Sequence, residues 1–419
     1  MLKINKQAIL CGFLLLCFGS MTTACDDDAS AGESAGESAG ESAGESAGES
    51  SGESSGESAG ENAGESAGEE AFSISEVVDE AVASYLRSNS SLEGAAVIVV
   101  HRDQGVIHRR AYGTFDEERV YFVASSSKMV AAGIINRLHD DGVMDMYAPV
   151  ADIVDWGQAR PEIKPVHLIS NSSGLPGLES TASGSEYLCQ FLPTGELQEC
   201  AQTIFEAEPL ADEVIPPDTE FRYGGGQWQV AGGVAEAASG KSWSDLFNEI
   251  YAVPCGLESS GFSHQNQFDQ EFLGYPGDFG SNIDSLMPTD NPWIEAGMYT
   301  TIDDYGKLLM MHLKGGECGM TQVHSAETIE RMHADRILET YMGGTGIPVL
   351  GGYGMGWWVD RNSEGIIHDP GAYGSWAYID KNRNIAFFTA LEASMLPEGF
   401  GLFNQIRPVI ERAVDRAIE

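Results

Sequence analysis

The chain predicts an α+β fold, an α/β sandwich in which an antiparallel sheet is split by a helical insertion and carries helices from both ends of the chain. Three observations predict it. A hairpin of two apolar strands lies near the start of the foldable region, and strands return only towards the end. The stretch between, from about residue 145 to 290, is loop-rich with helical patches.

Taken in order, residues 74–86 have the periodicity of an amphipathic helix. Residues 95–100 and 106–112 read as strands joined by the turn Asp103-Gln-Gly105. Residues 121–123 are extended and apolar. Val130, Ile134 and Leu138 then recur every four residues, so a buried helix starts near Ser125 and ends near Asp141-Gly142, where the glycine suits a C-cap. Residues 229–238 and 243–251 are helical patches, and 302–313 is a longer helix. Residues 354–360, 375–380 and 384–391 read as strands, and 402–418 as a closing helix.

Residues 1–71 stand apart. Lys3 and Lys6 precede an apolar run over 8–18, then small and polar residues lead to Cys25. That is an export signal over residues 1–24, its apolar run too short for a permanent span. Met21-Thr-Thr-Ala-Cys25 is similar to a lipoprotein cleavage box, with Thr22 where leucine is usual. It predicts lipidation of Cys25, with ordinary secretion or an uncleaved anchor as alternatives. From Ala31 to about Glu70 the unit Ala/Ser-Gly-Glu-Ser repeats. Such a segment has nothing to bury, so 25–71 reads as a solvated acidic tether of roughly 35–40 Å root-mean-square span. The expectation is an exported cell-envelope lipoprotein facing the periplasm or cell exterior, touching membrane only through its lipid. Residues 72–419 form the folded region.

The whole chain carries 23 basic and 64 acidic residues, a net charge of −41. Residues 1–71 hold two of the former and 14 of the latter, which leaves −29 on the remainder. A body this acidic argues against a nucleic-acid partner. Cys11 and Cys17 leave with the signal, and Cys25 would be acylated. Of the remaining four, Cys189 and Cys200 flank a Pro-Thr-Gly turn and are the favoured disulfide; Cys255 and Cys318 keep three pairings open, as well as free thiols. No Cys-x-x-Cys or His-Glu-x-x-His spacing is present, so neither a zinc site nor another cofactor is expected.

Ser125 at a helix start, with Lys128 three residues on and on the same side, suits a serine nucleophile beside a proton-handling amine. Taken alone the spacing fits an N-cap equally well. Several separated segments decide the matter by resemblance. Phe122-Val-Ala-Ser-Ser-Ser-Lys128 resembles the Ser-x-x-Lys block of the serine β-lactamase-like hydrolases, which include class C β-lactamases, D-alanyl-D-alanine carboxypeptidases, D-aminopeptidases and family VIII esterases. His167-Leu-Ile-Ser-Asn-Ser-Ser-Gly-Leu-Pro176 resembles that family's Leu-Leu-Ser-His-Thr-Ser-Gly-Leu-Pro segment, with Asn171 in place of histidine. Pro217-Asp-Thr-Glu-Phe-Arg-Tyr223 resembles its tyrosine segment. Ala296-Gly-Met-Tyr-Thr-Thr301 and Tyr353-Gly-Met-Gly-Trp-Trp358 are similar to two further stretches, in the family's order.

The resemblance implies a β-lactamase/transpeptidase-like fold over 72–419. It implies an acyl-enzyme on Ser125, with Lys128 and Tyr223 moving protons and no cofactor. Lys128 could accept a proton only if burial or nearby positive charge disfavoured its ammonium. The third motif, His-Lys-Thr-Gly-Ala in class C enzymes, reads His368-Asp-Pro-Gly-Ala372 here. In that register Gly371 is the motif glycine, Ser125 and Ala372 supply the oxyanion N–H groups, and Asp369 replaces the lysine. Another register makes His368 the motif residue. Gly225 stands where the tyrosine motif of β-lactamases has asparagine. An Asp369 carboxylate in the cleft would repel a substrate carboxylate, so an uncharged small ester is the favoured substrate. A β-lactam or a D-amino-acid peptide is the alternative, and an idle tethered binding module the third. Without a Gly-x-Ser-x-Gly elbow, an α/β-hydrolase is disfavoured.

Overall fold

A computed structural model of the protein describes residues 73–178, 185–207, 215–268, 274–337 and 351–418. The export signal, the repeat tether and Cys25 lie outside these residues. Helix α1 (Ile74–Ser88) is capped by Ser73, whose hydroxyl accepts from the Glu76 N–H at 3.4 Å. The predicted hairpin follows as β1 (Gly94–His101) and β2 (Gly105–Gly113). β3 (Tyr121–Phe122) leads through a 3-10 turn (Ala124–Ser127) into α2 (Lys128–Asp140). The middle of the chain contributes α3 (Leu197–Glu206), α4 (Gly226–Ser239), β4 (Gly261–Phe262), β5 (Met298–Thr300) and α5 (Ile302–Leu313), the last with the predicted bounds. A small ribbon, β6 (Glu317–Cys318) with β7 (Thr321–Gln322), precedes the return to the main sheet. That return comprises β8 (Gly352–Tyr353), β9 (Trp358–Val359), β10 (Ile366–Pro370), β11 (Trp376–Asp380) and β12 (Ile385–Ala390), closed by α6 (Phe400–Ile418).

The main sheet has seven antiparallel strands in the order β2-β1-β12-β11-β10-β9-β8. Every residue of β1 is buried, which explains why it reads as a continuous apolar run and not as an alternation. Ala95, Val97 and Val99 pack with Val78 and Val82 of α1 and with Leu402, Phe403 and Ile406 of α6. Ala96, Ile98 and Val100 join the core that holds α2, α4 and α5. Each such aliphatic side chain contributes roughly 1.5–3 kcal/mol by leaving water. Helices on both faces of an antiparallel sheet make this the expected β-lactamase/transpeptidase-like α+β fold.

Two elements differ from expectation. Residues 354–360 form a turn over 354–357 and then the short strand β9, not one strand: the Gly354 N–H bonds the Trp357 carbonyl at 2.8 Å and Gly356 takes φ +78°. The helix beginning at Trp243 runs on through a wide turn over Asn248–Ala252 to Cys255. Cys189 pairs with Cys200 as expected, and Cys255 pairs with Cys318. Among the described residues, no helix is long and apolar enough to cross a membrane.

Candidate active site

Three consecutive serines open α2, and the fold uses them differently. Ala124 sits at φ +45°, a backbone conformation rare for residues with a side chain, and this sharp entry presents Ser125. Ser126 and Ser127 are fully buried, whereas Ser125 keeps part of its surface. Ser127 Oγ donates to the Ala124 carbonyl at 2.6 Å and accepts from the Met298 N–H at 3.0 Å. Ser126 Oγ donates to the Asp369 carbonyl at 2.7 Å, its own carbonyl accepts from Tyr305, and its hydroxyl also meets Ser375. Two serines therefore lock the turn to β5 and β10, which leaves the first for chemistry.

Lys128 Nζ lies 3.0 Å from Ser125 Oγ. It also donates to the Glu295 carbonyl at 3.2 Å and stands 3.1 Å from Glu295 Oε2, with side-chain exposures of 1% and 3% for the pair. Burial works to lower the lysine's pKa, but Glu295, with smaller help from Tyr223 and Asp369, outweighs it and the net direction is upward. The condition under which Lys128 would be a ready base is therefore not met at rest: the adjoining Glu295 carboxylate favours its ammonium form. Glu295 did not emerge from the motif pattern. Its available signal is an acid inside the apolar run Pro292-Trp-Ile-Glu-Ala-Gly-Met298, since a buried charge requires a partner.

Tyr223 completes the cluster. Its hydroxyl faces Ser125, and burial raises its pKa more than Lys128 and Ser125 lower it, which favours the phenol. Lys128 Nζ lies 4.7 Å from its ring centroid. The ring is wedged against Trp358 at 5.1 Å and Tyr353 at 6.0 Å. Asn171 holds the segment's backbone: its carbonyl accepts from the Arg222 N–H at 2.9 Å, and its Oδ1 from the Gly224 N–H at 3.0 Å and Trp228 Nε1 at 2.8 Å. The substitution of histidine by Asn171 thus has a structural role here, at φ +58°, which asparagine tolerates.

Gly225 has φ +83° and ψ −166°. A Cβ there would lie 2.9 Å from the Pro176 carbonyl oxygen, so no asparagine side chain fits without movement. Its N–H donates to Glu295 Oε2 at 3.0 Å, and Trp293 Nε1 approaches Glu295 Oε1 at 3.3 Å. Gly225 therefore acts through its backbone, and the polar group beside the tyrosine comes from Glu295 on another segment.

The third motif needs two corrections. Successive residues of β10 face opposite sides of the sheet. His368 points to the α6 side, where its ring meets Phe403 at 5.4 Å and Trp376 Nε1 donates to its Nδ1 at 3.3 Å. Burial takes its pKa down to about 3. It lies across the sheet from Ser125, which excludes the register with His368 as motif residue. Asp369 faces the Ser125 side but is 1% exposed, with its carboxyl 3.5 Å from the Tyr305 hydroxyl. Burial drives its pKa well up, past what Lys128 pulls back. Burial that disfavours the carboxylate form weakens any repulsion of a substrate carboxylate. What position 369 does is withhold a cation.

Gly371 lies directly over the Val123 carbonyl and Ser375, an approach only glycine allows. Its N–H bonds the Ser375 carbonyl at 2.9 Å, and the Ala372 carbonyl accepts from the Met395 N–H at 2.9 Å. Ser125 is the second residue of its turn, so its N–H has no intrahelical acceptor. The disulfides lie on other segments, and among the described residues no group of three His, Cys, Asp or Glu side chains is placed to hold a metal.

A hydroxyl held by an amine and a phenol, on a turn that the end of a sheet strand crosses, is the arrangement of an acyl-transfer site. The family described as Beta-lactamase matches residues 75–394, and the chain belongs to it. Penicillin-binding protein 4 of Amycolatopsis lactamdurans is 25% identical over 315 residues, covering 70% of this chain and 78% of that one. A D-aminopeptidase of Brucella ovis is 25% identical over 238 residues, or 54% of this chain and 43% of that one, so the chain spans less than half of that relative. The solved structure of EstCE1, a hydrolase with promiscuous acyltransferase activity, superposes with a TM-score of 0.63 at 19% identity, over 81% of this chain and 98% of that one. At that identity the likeness is one of fold.

Proposed function

We propose that the protein is a serine hydrolase that cleaves a small uncharged ester through an acyl-enzyme on Ser125. Lys128 and Tyr223 carry the proton traffic, and the N–H groups of Ser125 and Ala372 receive the oxyanion. One observation carries the substrate reading: the lysine touching Ser125 is already paired with Glu295 at 3.1 Å, and position 369 offers a buried carboxyl, not a cation, where the family has a lysine. A β-lactam or D-Ala-D-Ala peptide would bring a carboxylate with no cation to meet it at that position. The intact contact from Lys128 to Ser125 weighs against an idle binding module.

The test is one panel of a short-chain nitrophenyl ester, a chromogenic cephalosporin and a D-Ala-D-Ala peptide. The ester should give the highest kcat/KM, by about tenfold or more, the scale of one missing charged contact. Faster turnover of the cephalosporin or the peptide would replace this reading with a β-lactamase or peptidase.

Export and lipidation of Cys25 belong to the same proposal, with 25–71 as tether. Two disulfides support an oxidising compartment. Cys25→Ser should move the protein from the membrane fraction to the soluble fraction without changing ester turnover; retention in the membrane fraction would refute lipid anchoring.

A further inference from the structure

We propose that the Glu295 carboxylate is the resting place of the Ser125 proton during acylation, with Lys128 as the conduit between them. The proposal rests on Ser125 being the nucleophile. For Ser125 Oγ to attack, its proton must leave, and the groups that touch Oγ are Lys128 and Tyr223. An ammonium has no lone pair to accept it, and Tyr223 is held as a phenol by burial. Glu295 is the acceptor in line. Ser125 Oγ to Lys128 Nζ is 3.0 Å, and Lys128 Nζ to Glu295 Oε2 is 3.1 Å.

The surroundings of that carboxylate are built. The Gly225 N–H at 3.0 Å and Trp293 Nε1 at 3.3 Å fix its two oxygens. Gly224 makes room, since a Cβ there would lie 2.7 Å from Oε2. The other titratable groups facing the pair are Tyr223, Tyr353 from β8 and Asp369 from β10, with Tyr305 of α5 behind Asp369. Burial disfavours the charged form of all four. Glu295 is thus the carboxyl group in direct contact with Lys128 among the described residues.

The step balances without a co-reactant. As the Ser125 Oγ–carbon bond forms, Lys128 passes one ammonium proton to Glu295 and takes the Ser125 proton on the same nitrogen. Lys128 remains an ammonium, Glu295 becomes a carboxylic acid, and the negative charge moves to the acyl oxygen. When the carbon–leaving-group bond breaks, the alkoxide takes a proton through Lys128 or Tyr223, and Glu295 ionises again. Water repeats the cycle, with Ser125 as the leaving group.

The deciding experiment compares the full-length protein with Glu295→Gln and Glu295→Asp. It reads single-turnover acylation by a nitrophenyl ester and kcat/KM across pH 5–10, with fluorophosphonate labelling of Ser125 as an independent report on the nucleophile. The wild type should lose activity as pH falls through protonation of a carboxylate. Glu295→Gln should acylate about 100-fold or more slowly at neutral pH, the scale of a lost proton acceptor. Its activity should instead climb into the range where a lysine ionises. Glu295→Asp should keep the acidic limb at a reduced rate, and it decides the matter if the glutamine variant does not fold. A Glu295→Gln profile of wild-type shape, or a Glu295→Asp rate equal to wild type, would make Glu295 a counter-ion only and overturn the proposal. Absence of both labelling and ester turnover in the wild type would instead remove the nucleophile on which it rests.

Discussion

Ser125→Ala should abolish ester turnover, with kcat/KM falling by about 10,000-fold or more, the scale seen when a covalent nucleophile is deleted. The fold should survive. Among the described residues Ser125 Oγ bonds Lys128 and faces Tyr223, both within the cluster, and the turn is held by Ser126 and Ser127. Lys128 keeps the Glu295 carbonyl and carboxylate as partners in the variant, so no buried charge is orphaned. The unfolding midpoint in urea should shift by less than about 1 kcal/mol of stability. Adding Lys128→Ala should lower activity little further, because residues that act as a unit are not additive. It should destabilise, however, since Glu295 would then be buried without its cation, at a cost of about 3–5 kcal/mol. Residual turnover in Ser125→Ala above a few per cent of wild type would refute the nucleophile.

The second large effect is expected at Gly225. Restoring the family's asparagine there should damage the enzyme. At φ +83° and ψ −166° the backbone lies in a region that only glycine occupies freely, so any side chain costs about 1–3 kcal/mol from conformation alone. The new Cβ would also meet the Pro176 carbonyl oxygen at 2.9 Å. Relief requires Gly225 to move, and its N–H then leaves Glu295 Oε2. Displacing that carboxylate moves Lys128 relative to Ser125, and an error of about 1 Å at a reacting pair can cost 100-fold. Gly225→Asn and Gly225→Ala should both lose that much in kcat/KM at equal folded fraction. An asparagine variant as active as wild type would show that Glu295 is not held through this N–H.

What could be read from residues alone followed the range of the interactions. Ser125 and Lys128 lie one helical turn apart, so local geometry joins them wherever the helix packs. The apolar run of β1 and the periodic run of α5 declare their burial without outside help. Glu295 was silent because its partner Lys128 is 167 residues away in the chain, and a lone acid carries no mark of what it faces. The third motif was recognisable as a strand bearing a glycine, but not in its consequences. Strand alternation places His368 and Asp369 on opposite faces, yet which face meets Ser125 depends on Ser126 bonding the Asp369 carbonyl. The charge of Asp369 was equally hidden, since burial disfavours the ionised form of a group that every count of charges takes as negative.

The pairing of β1 with β12 has a consequence for how the molecule comes into being. Ala96 lies opposite Ala390 and Val100 opposite Ala386, so a strand made early waits for one made almost last. Until residues 385–390 arrive, β1 is an apolar run from Ala95 to Val100 with one open edge. Such edges recruit other chains, and contacts this distant in sequence form slowly. Nascent or truncated chains ending before residue 385 should therefore be captured as aggregates or by chaperones, and the sheet becomes self-sufficient only when the two ends of the domain meet.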